Sequence, residues 1–231
     1  IMGGSGAGKS TLLSILCGKI KPQEGKITIN GVDVHKHPET IEGIIGLVPQ
    51  DDLLIEELTV FRNLYLNAKL CLSNLTDSEL VRRVNRVLAD LDLEEVKHLK
   101  VGNPLKKVIS GGQRKRLNIA LELIREPGVL FVDEPTSGLS SMGSEKVMLL
   151  LKEQALKGRL VIVNIHQPYS DIYKLFDRFL ILDREGHVIY KGNPIDAITY
   201  FKALSHYVNA EVGHCESCGN CLLYTSPSPR D

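Results

Sequence analysis

Gly3-Gly4-Ser5-Gly6-Ala7-Gly8-Lys9-Ser10-Thr11 fits the pattern G-x-x-x-x-G-K-[ST], a loop suited to holding phosphate. Its glycines permit positive backbone dihedrals, so successive amide hydrogens can turn into one anion cradle at a helix start. Lys9 adds a mobile cation for terminal phosphates, and the Ser10 hydroxyl is a ligand for Mg2+. Further along, the apolar run Val129-Leu130-Phe131-Val132 ends in Asp133-Glu134. Consecutive residues at a strand end point different ways, which lets the two carboxylates take different tasks. A third feature, Ser110-Gly111-Gly112-Gln113, opens a basic, helix-forming segment. Exposed amides there, widened by two glycines and helped by the Ser110 hydroxyl, make a second anion site. Each feature alone has a plainer reading: a Gly-rich turn, an acidic helix cap, a Ser-capped helix. Their coexistence specifies a nucleotide-handling chain with two phosphate-binding helix starts but one cation-bearing loop.

The elements that must position these residues are legible in outline. From Gly8 the apolar residues Leu12, Leu13, Ile15 and Leu16 recur at helical spacing, and Pro22 and Gly25 mark a turn. Lys26–Asn30 alternates as a strand, and Ile44–Val48 reads as a short buried one. After Gln50 the pattern changes to amphipathic helices over Thr59–Leu72 and Asp77–Leu91, with Thr59 and Asp77 as N-caps. From Gly128 the chain alternates again. Strand Val129–Val132, helix Ser144–Leu156, strand Leu160–Asn164 and helix Ser170–Phe176 lead to strands Arg178–Leu182 and His187–Tyr190, then a helix opening at Pro194. This alternation predicts an α/β fold with a mostly parallel sheet covered on both faces, interrupted by a helical subdomain. The expected division is an α/β core of residues 1–50 and 128–204, a helical subdomain of 51–127, and a Cys-containing tail of 205–231.

Lys+Arg and Asp+Glu balance at 28 each, and Trp is absent, so neither a broad electrostatic field nor a stacking platform favours nucleic acid. The cluster Arg114-Lys115-Arg116 reads as a solvated helix face. No apolar run reaches the roughly 18–20 residues needed to span a bilayer, and there is no secretory signal pattern. Both ends read as truncated, and Leu222–Asp231 as non-native. Cys17 and Cys71 read as small buried hydrophobes. Cys215 and Cys218 make one half of a zinc ribbon, but no second pair is visible. Plain loop cysteines are the favoured reading there, with zinc as the alternative.

Taken in order, the motifs resemble the nucleotide-binding domain of an ATP-binding cassette (ABC) transporter, a P-loop NTPase with a RecA-like core. The resemblance covers about residues 1–204. The segments Glu134-Pro-Thr-Ser-Gly-Leu139, Ile165-His-Gln-Pro168 and Leu121-Glu-Leu-Ile124 are most like the G-type (White) branch. The resemblance implies ATP and Mg2+ as ligands, with Asp133 anchoring the Mg2+ shell and Glu134 polarising the attacking water. It also implies that Gln50 contacts Mg2+ and that water, and that His166 faces the γ-phosphate. Ser110–Gln113 would cap ATP held by a second nucleotide-binding domain in a head-to-tail homo- or heterodimer. A transmembrane domain, in the chain's continuation or another chain, would hold the assembly at the cytoplasmic face of a membrane.

Two departures from the family pattern stand out. Ser140 occupies the place of an aspartate that helps join the two subunits, which predicts weaker coupling and slower turnover. The aromatic that stacks on adenine lies upstream of residue 1. The rival readings are a soluble ABC-type ATPase acting on nucleic acid or ribosomes, and a nucleotide-gated scaffold without turnover, which intact Lys9 and Glu134 argue against.

Overall fold

Three apolar runs without polar alternation mark strands covered on both faces, and these runs become one parallel sheet. The computed structural model describes residues 1–41, 43–103, 108–166 and 168–204. They form two units, Ile1–Ala7 with the residues from His166 onward, and Gly8–Ile165. In chain order the elements begin with β1 (Met2–Gly3), α1 (Lys9–Leu16), β2 (Thr28–Ile29), β3 (Val32–Asp33), α2 (Pro38–Ile41) and β4 (Ile45–Val48). Helices α3 (Val60–Cys71), α4 (Asp77–Asp90) and α5 (Gly111–Leu123) follow. Then come β5 (Val129–Asp133), α6 (Ser141–Leu156), β6 (Leu160–Asn164), α7 (Ser170–Tyr173), β7 (Phe179–Leu182), β8 (Val188–Gly192) and α8 (Pro194–Leu204).

In the larger unit, β4, β5 and β6 pair in parallel, with β5 in the centre. Val129 to Val132 are all buried. Leu13 of α1 packs on Val129 and Phe131, together with Leu16, Ile45, Leu47 and Ile162. Between β4 and β5 stand the three helices of the predicted helical stretch. Their buried stripes recur at helical spacing: Leu64 and Ala68 on α3, and Leu80, Val84 and Leu88 on α4. Thr59 caps α3 as expected, its Oγ1 accepting from the Arg62 N–H at 3.1 Å.

For α4 the cap is Thr76 rather than Asp77. Thr76 Oγ1 accepts from Glu79 N–H, and Glu79 Oε2 accepts from Thr76 N–H at 2.8 Å. Threonine followed three residues later by glutamate satisfies two helix-end amides at once, which a lone Asp77 cannot do. Asp77 accepts instead from Tyr65 Oη and Lys69 Nζ.

Other expectations need correction. The strand read over Lys26–Asn30 is only the first arm of a hairpin, β2 to β3. Asn30 and Gly31 both take positive φ, 51° and 82°, as a type I′ turn requires. The helix read over Ser170–Phe176 ends at Tyr173. Cys17 is half-buried and packs against the Leu13, Val129 and Phe131 cluster, whereas Cys71 is exposed and is not a core hydrophobe.

In the smaller unit, β1 runs parallel to β7, and β7 pairs antiparallel with β8. Phe179 is buried against Tyr173 and Phe176, the Tyr173 ring meeting it edge-on at 4.4 Å. Tyr173 Oη donates to the Pro194 carbonyl at 2.7 Å, and burial pushes its phenol up to about 12. Among the described residues no helix is long and apolar enough to cross a membrane.

Leu88 is fully buried between the helices. Leu88→Ala should cost about 2–5 kcal/mol by urea unfolding. Thr76→Ala, which removes half of the capping box, should cost about 1 kcal/mol in the same measurement.

Candidate functional site

Within the larger unit the phosphate-loop sequence enters α1 through Gly8, whose φ of 79° lies in the left-handed region. That turn aims the first amides of α1 forward and places Lys9 and Ser10 at the helix start. Lys9 is buried, and Ser10 is exposed. The Ser10 Oγ donates to Asp133 Oδ1 at 3.2 Å, across 123 residues of sequence. Asn164 Nδ2 donates to the same Asp133 oxygen at 3.1 Å. The register explains the meeting: β5 and β6 run parallel with Asp133 opposite Asn164, so their C-terminal ends emerge side by side. The carboxyl ends of parallel strands are where open α/β sheets bind ligands.

Glu134 leaves the strand differently. Its φ is 43°, uncommon for a residue with a side chain. Its N–H donates to the Asn164 carbonyl at 3.1 Å, and its own carbonyl accepts from Ser137 N–H at 3.2 Å. The tight turn separates the two acids. Asp133 is tied to Ser10 and Asn164, while the Glu134 carboxylate makes no hydrogen bond among the described residues.

A second cluster lies at the start of α5. Ser110 Oγ accepts from Gln113 N–H at 3.2 Å, and Gln113 Oε1 accepts from Ser110 N–H at 2.7 Å, a complete capping box. Gly111 and Gly112 supply the first two amides, which have no intrahelical partner. A Cβ on Gly111 would come within 3.2 Å of Leu139 Cδ2, so glycine is what allows the helix start to approach that loop. The next residue, Ser140, caps α6, its Oγ accepting from Gly143 N–H at 3.2 Å.

The body of α5 then grips the loop that carries Gln50. Arg114 forms a fork on Asp52, Nε to Oδ2 at 2.9 Å and Nη2 to Oδ1 at 3.1 Å. Its Nη1 donates to the Val101 and Gly102 carbonyls. Lys115 Nζ donates to the Gln50 carbonyl. Asn118 Oδ1 accepts from Leu53 N–H at 3.4 Å.

The basic cluster is therefore not a solvated face: Arg114 and Lys115 are 8% and 9% exposed. Arg116 pairs with Asp92 at 3.2 Å. Burial pushes the Lys115 amine below its usual value, against the attraction of Asp52, Asp51, Asp133 and Glu134. Gln50 itself is exposed.

In the smaller unit, His166 Nδ1 lies 3.3 Å from the Gly3 carbonyl. Ala7 N–H donates to the Gly4 carbonyl at 3.3 Å, which closes the loop's first turn. Of the predicted residues, Ser10 thus meets Asp133, Ser110 meets Gln113, and His166 meets Gly3. Asn164 and Lys115 were missed. The signal for Asn164 was a polar residue closing an apolar strand, whereas nothing in the sequence marks Lys115 as buried. Cys215 and Cys218 lie outside the described residues. Among the described residues no group of three or more His, Cys, Asp or Glu could hold a metal by itself.

Comparison with known proteins bears on the family and the fold. The family model described as ABC transporter matches residues 1–137. The chain is 38% identical over 231 residues to "Broad substrate specificity ATP-binding cassette transporter ABCG2" of Sus scrofa, covering 99% of this chain and 33% of that protein. It is 41% identical over 206 residues to "ABC transporter G family member 14" of Arabidopsis thaliana, covering 88% of this chain and 31% of that protein. The chain thus spans about a third of the length of the curated relatives it matches. Among solved structures, cbiO1 from Clostridium perfringens, described as part of the ABC transporter complex cbiONQ, matches with a TM-score of 0.74 and 30% identity. That match covers 89% of this chain and 81% of the other.

The grip of α5 on residues 49–53 can be tested residue by residue. Arg114→Ala should cost about 1.5–3 kcal/mol, the range for hydrogen bonds to charged groups, and speed amide exchange at Asp52 and Leu53. Lys115→Met removes a buried charge, so its melting temperature should equal or exceed the native value while the same amides exchange faster. The Lys115 amine is depressed when folded and ordinary, near 10.5, when unfolded. Between those values the unfolded chain binds more protons, so native stability should rise with pH there, and Lys115→Met should flatten the rise.

Proposed function

The chain belongs to the ABC transporter family, and we propose that it is the ATP-driven domain of a G-type transporter, with residues 1–50 and 128–204 as nucleotide-binding core, 51–127 as helical signature subdomain and 205–231 as tail. The nucleotide-binding domain of this family is an ATPase. The observation that carries the reading is the Ser10–Asp133 hydrogen bond at the start of the phosphate-loop helix. A hydroxyl and a carboxylate brought together beside a phosphate cradle are the hard oxygen donors that Mg2+ takes, along with waters and substrate phosphates. Ser10 and Asp133, with Gln50, would hold that ion, which supplies charge neutralisation at the phosphates.

Gly3, Gly4, Ser5, Gly6, Ala7, Gly8 and Thr11 bind the phosphates through the loop, and Lys9 stabilises the charge on the transferring group. Glu134, turned away from Asp133 and with no hydrogen-bond partner for its carboxylate among the described residues, can accept a hydrogen bond from water. That water attacks the γ-phosphorus as the bond to the bridging oxygen breaks, its proton leaving towards Glu134. His166 steadies the γ-phosphate. Positioning and electrostatics supply most of the acceleration.

The amides of Gly111 and Gly112, framed by Ser110 and Gln113, fit a phosphate that this chain's own loop does not hold. We read them as the cap on ATP bound by a second nucleotide-binding domain, in a head-to-tail homo- or heterodimer. Closure then depends on ATP, and hydrolysis reopens the pair. The 49–53 loop, gripped by α5, is the natural relay to a transmembrane domain, which would place the assembly at the cytoplasmic face of a membrane. The relatives matched are named as transporters, which favours this reading over a soluble ATPase acting on nucleic acid or ribosomes.

Glu134→Gln should retain ATP binding, accumulate a closed dimer by size-exclusion chromatography, and lose about 10²–10⁴-fold in ATPase rate. Normal hydrolysis in that variant would remove Glu134 from its role. Ser140→Asp should speed turnover and strengthen ATP-dependent dimerisation. Its melting temperature should barely move, because serine and aspartate are equivalent helix caps.

A further inference from the structure

We infer that Asn164 is a positioning residue for the acid pair: its side chain holds the Asp133 carboxylate in the orientation metal binding needs, and its backbone fixes the turn that presents Glu134. The inference rests on the ATPase reading above and extends it to a residue outside the family's motifs.

One residue reaches both acids. Asn164 Nδ2 donates to Asp133 Oδ1 at 3.1 Å, and the Asn164 carbonyl accepts from Glu134 N–H at 3.1 Å. The second bond forms just where the backbone of Glu134 takes its left-handed φ of 43°. Such a conformation costs of order 1–3 kcal/mol and persists only where the surroundings impose it. The last ladder position of β5 against β6, Asp133 opposite Asn164, is the element that imposes it here.

Asn164 is 0% exposed, and its chain neighbours Val163 and Ile165 are buried as well. Its Oδ1 has no partner among the described residues. A buried amide oxygen left unpaired costs about 1–3 kcal/mol, a cost that a leucine of similar size would avoid. Turning the amide over would set its oxygen against the Asp133 oxygen that now accepts from it, acceptor against acceptor. Among the described residues the bond to Asp133 is thus the one hydrogen bond the side chain makes, and it is made at a cost in stability.

That bond has a definite effect on the carboxylate. Asp133 Oδ1 accepts from both Ser10 Oγ and Asn164 Nδ2, while Oδ2 is bonded to nothing among the described residues. Two donors on one oxygen fix the rotation of the group and leave its twin uncommitted. Ser10 is itself a ligand candidate, so Asn164 is the donor that holds Asp133 without competing for the ion. Partners that hydrogen-bond a ligating carboxylate typically tune metal affinity or activity by about 10–100-fold.

The test compares native protein, Asn164→Leu and Asn164→Ser in the full chain. The Mn2+ dissociation constant is measured by EPR of free Mn2+ with a non-hydrolysable ATP analogue present. Binding of the analogue without metal, and the melting temperature, are measured separately. Asn164→Leu should weaken Mn2+ about tenfold or more, leave metal-free nucleotide binding unchanged, and lower kcat without raising KM. Should leucine prevent folding, Asn164→Ser keeps a small polar residue that is too short to reach Asp133, and the same weakening is expected. Native Mn2+ affinity in a folded variant, whatever its melting temperature, overturns the inference and leaves Asn164 as packing. A native chain that takes up no Mn2+ with the analogue overturns the ATPase reading itself, a result distinct from failure of the variants alone.

Discussion

The parallel register of β5 against β6 is the constraint on which the site depends. Each strand is too short and too apolar to carry chemistry along its length, so all the chemistry sits where the strands stop. Because Val129 lies opposite Leu160 and Asp133 opposite Asn164, both strands stop together. A slip of one residue would send Asp133 to the other face of the sheet and break its contact with Ser10. Because Val129 to Val132 are buried on both faces, a one-residue slip would push an end residue out of the covered run or draw the Asp133 charge into it.

Helix α5 ties this sheet-borne chemistry to the helical insertion. Its first turn presents Gly111 and Gly112, and its second and third turns hold the loop after β4 through Arg114, Lys115 and Asn118. A buried fork on Asp52 and a buried ammonium on the Gln50 carbonyl are poor investments for stability alone. They make sense as a rigid link, in which the helix start and the Gln50 loop move as one body.

Much of this was legible in the sequence, and the omissions have physical causes. The phosphate loop, the paired acids and Ser110-x-x-Gln113 are local patterns whose spacing carries their meaning. Thr76-x-x-Glu79 carried the same kind of signal and was passed over for the acidic Asp77, although the capping box satisfies more amides than a single aspartate. The strand reading ran on through Asn30, although Asn30-Gly31 is a pair that tolerates the positive φ of a hairpin turn. The burial of Arg114 and Lys115 was not readable, because their partners Asp52 and Gln50 lie 62 and 65 residues away. Asn164 was hidden for a related reason: its importance comes from register, a property of two strands together.

Ser140 closes on a wider point. As the cap of α6 it does for the helix what an aspartate would do, so exchanging the two is nearly invisible to folding. Positions of that kind can drift, or be altered by design, without passing through an unstable intermediate. On the proposed function, selection at Ser140 would respond to the speed of the machine alone. On that reading, the loop from Ser137 to Ser140 is a place where the pace of a cassette would be reset while its architecture stays untouched.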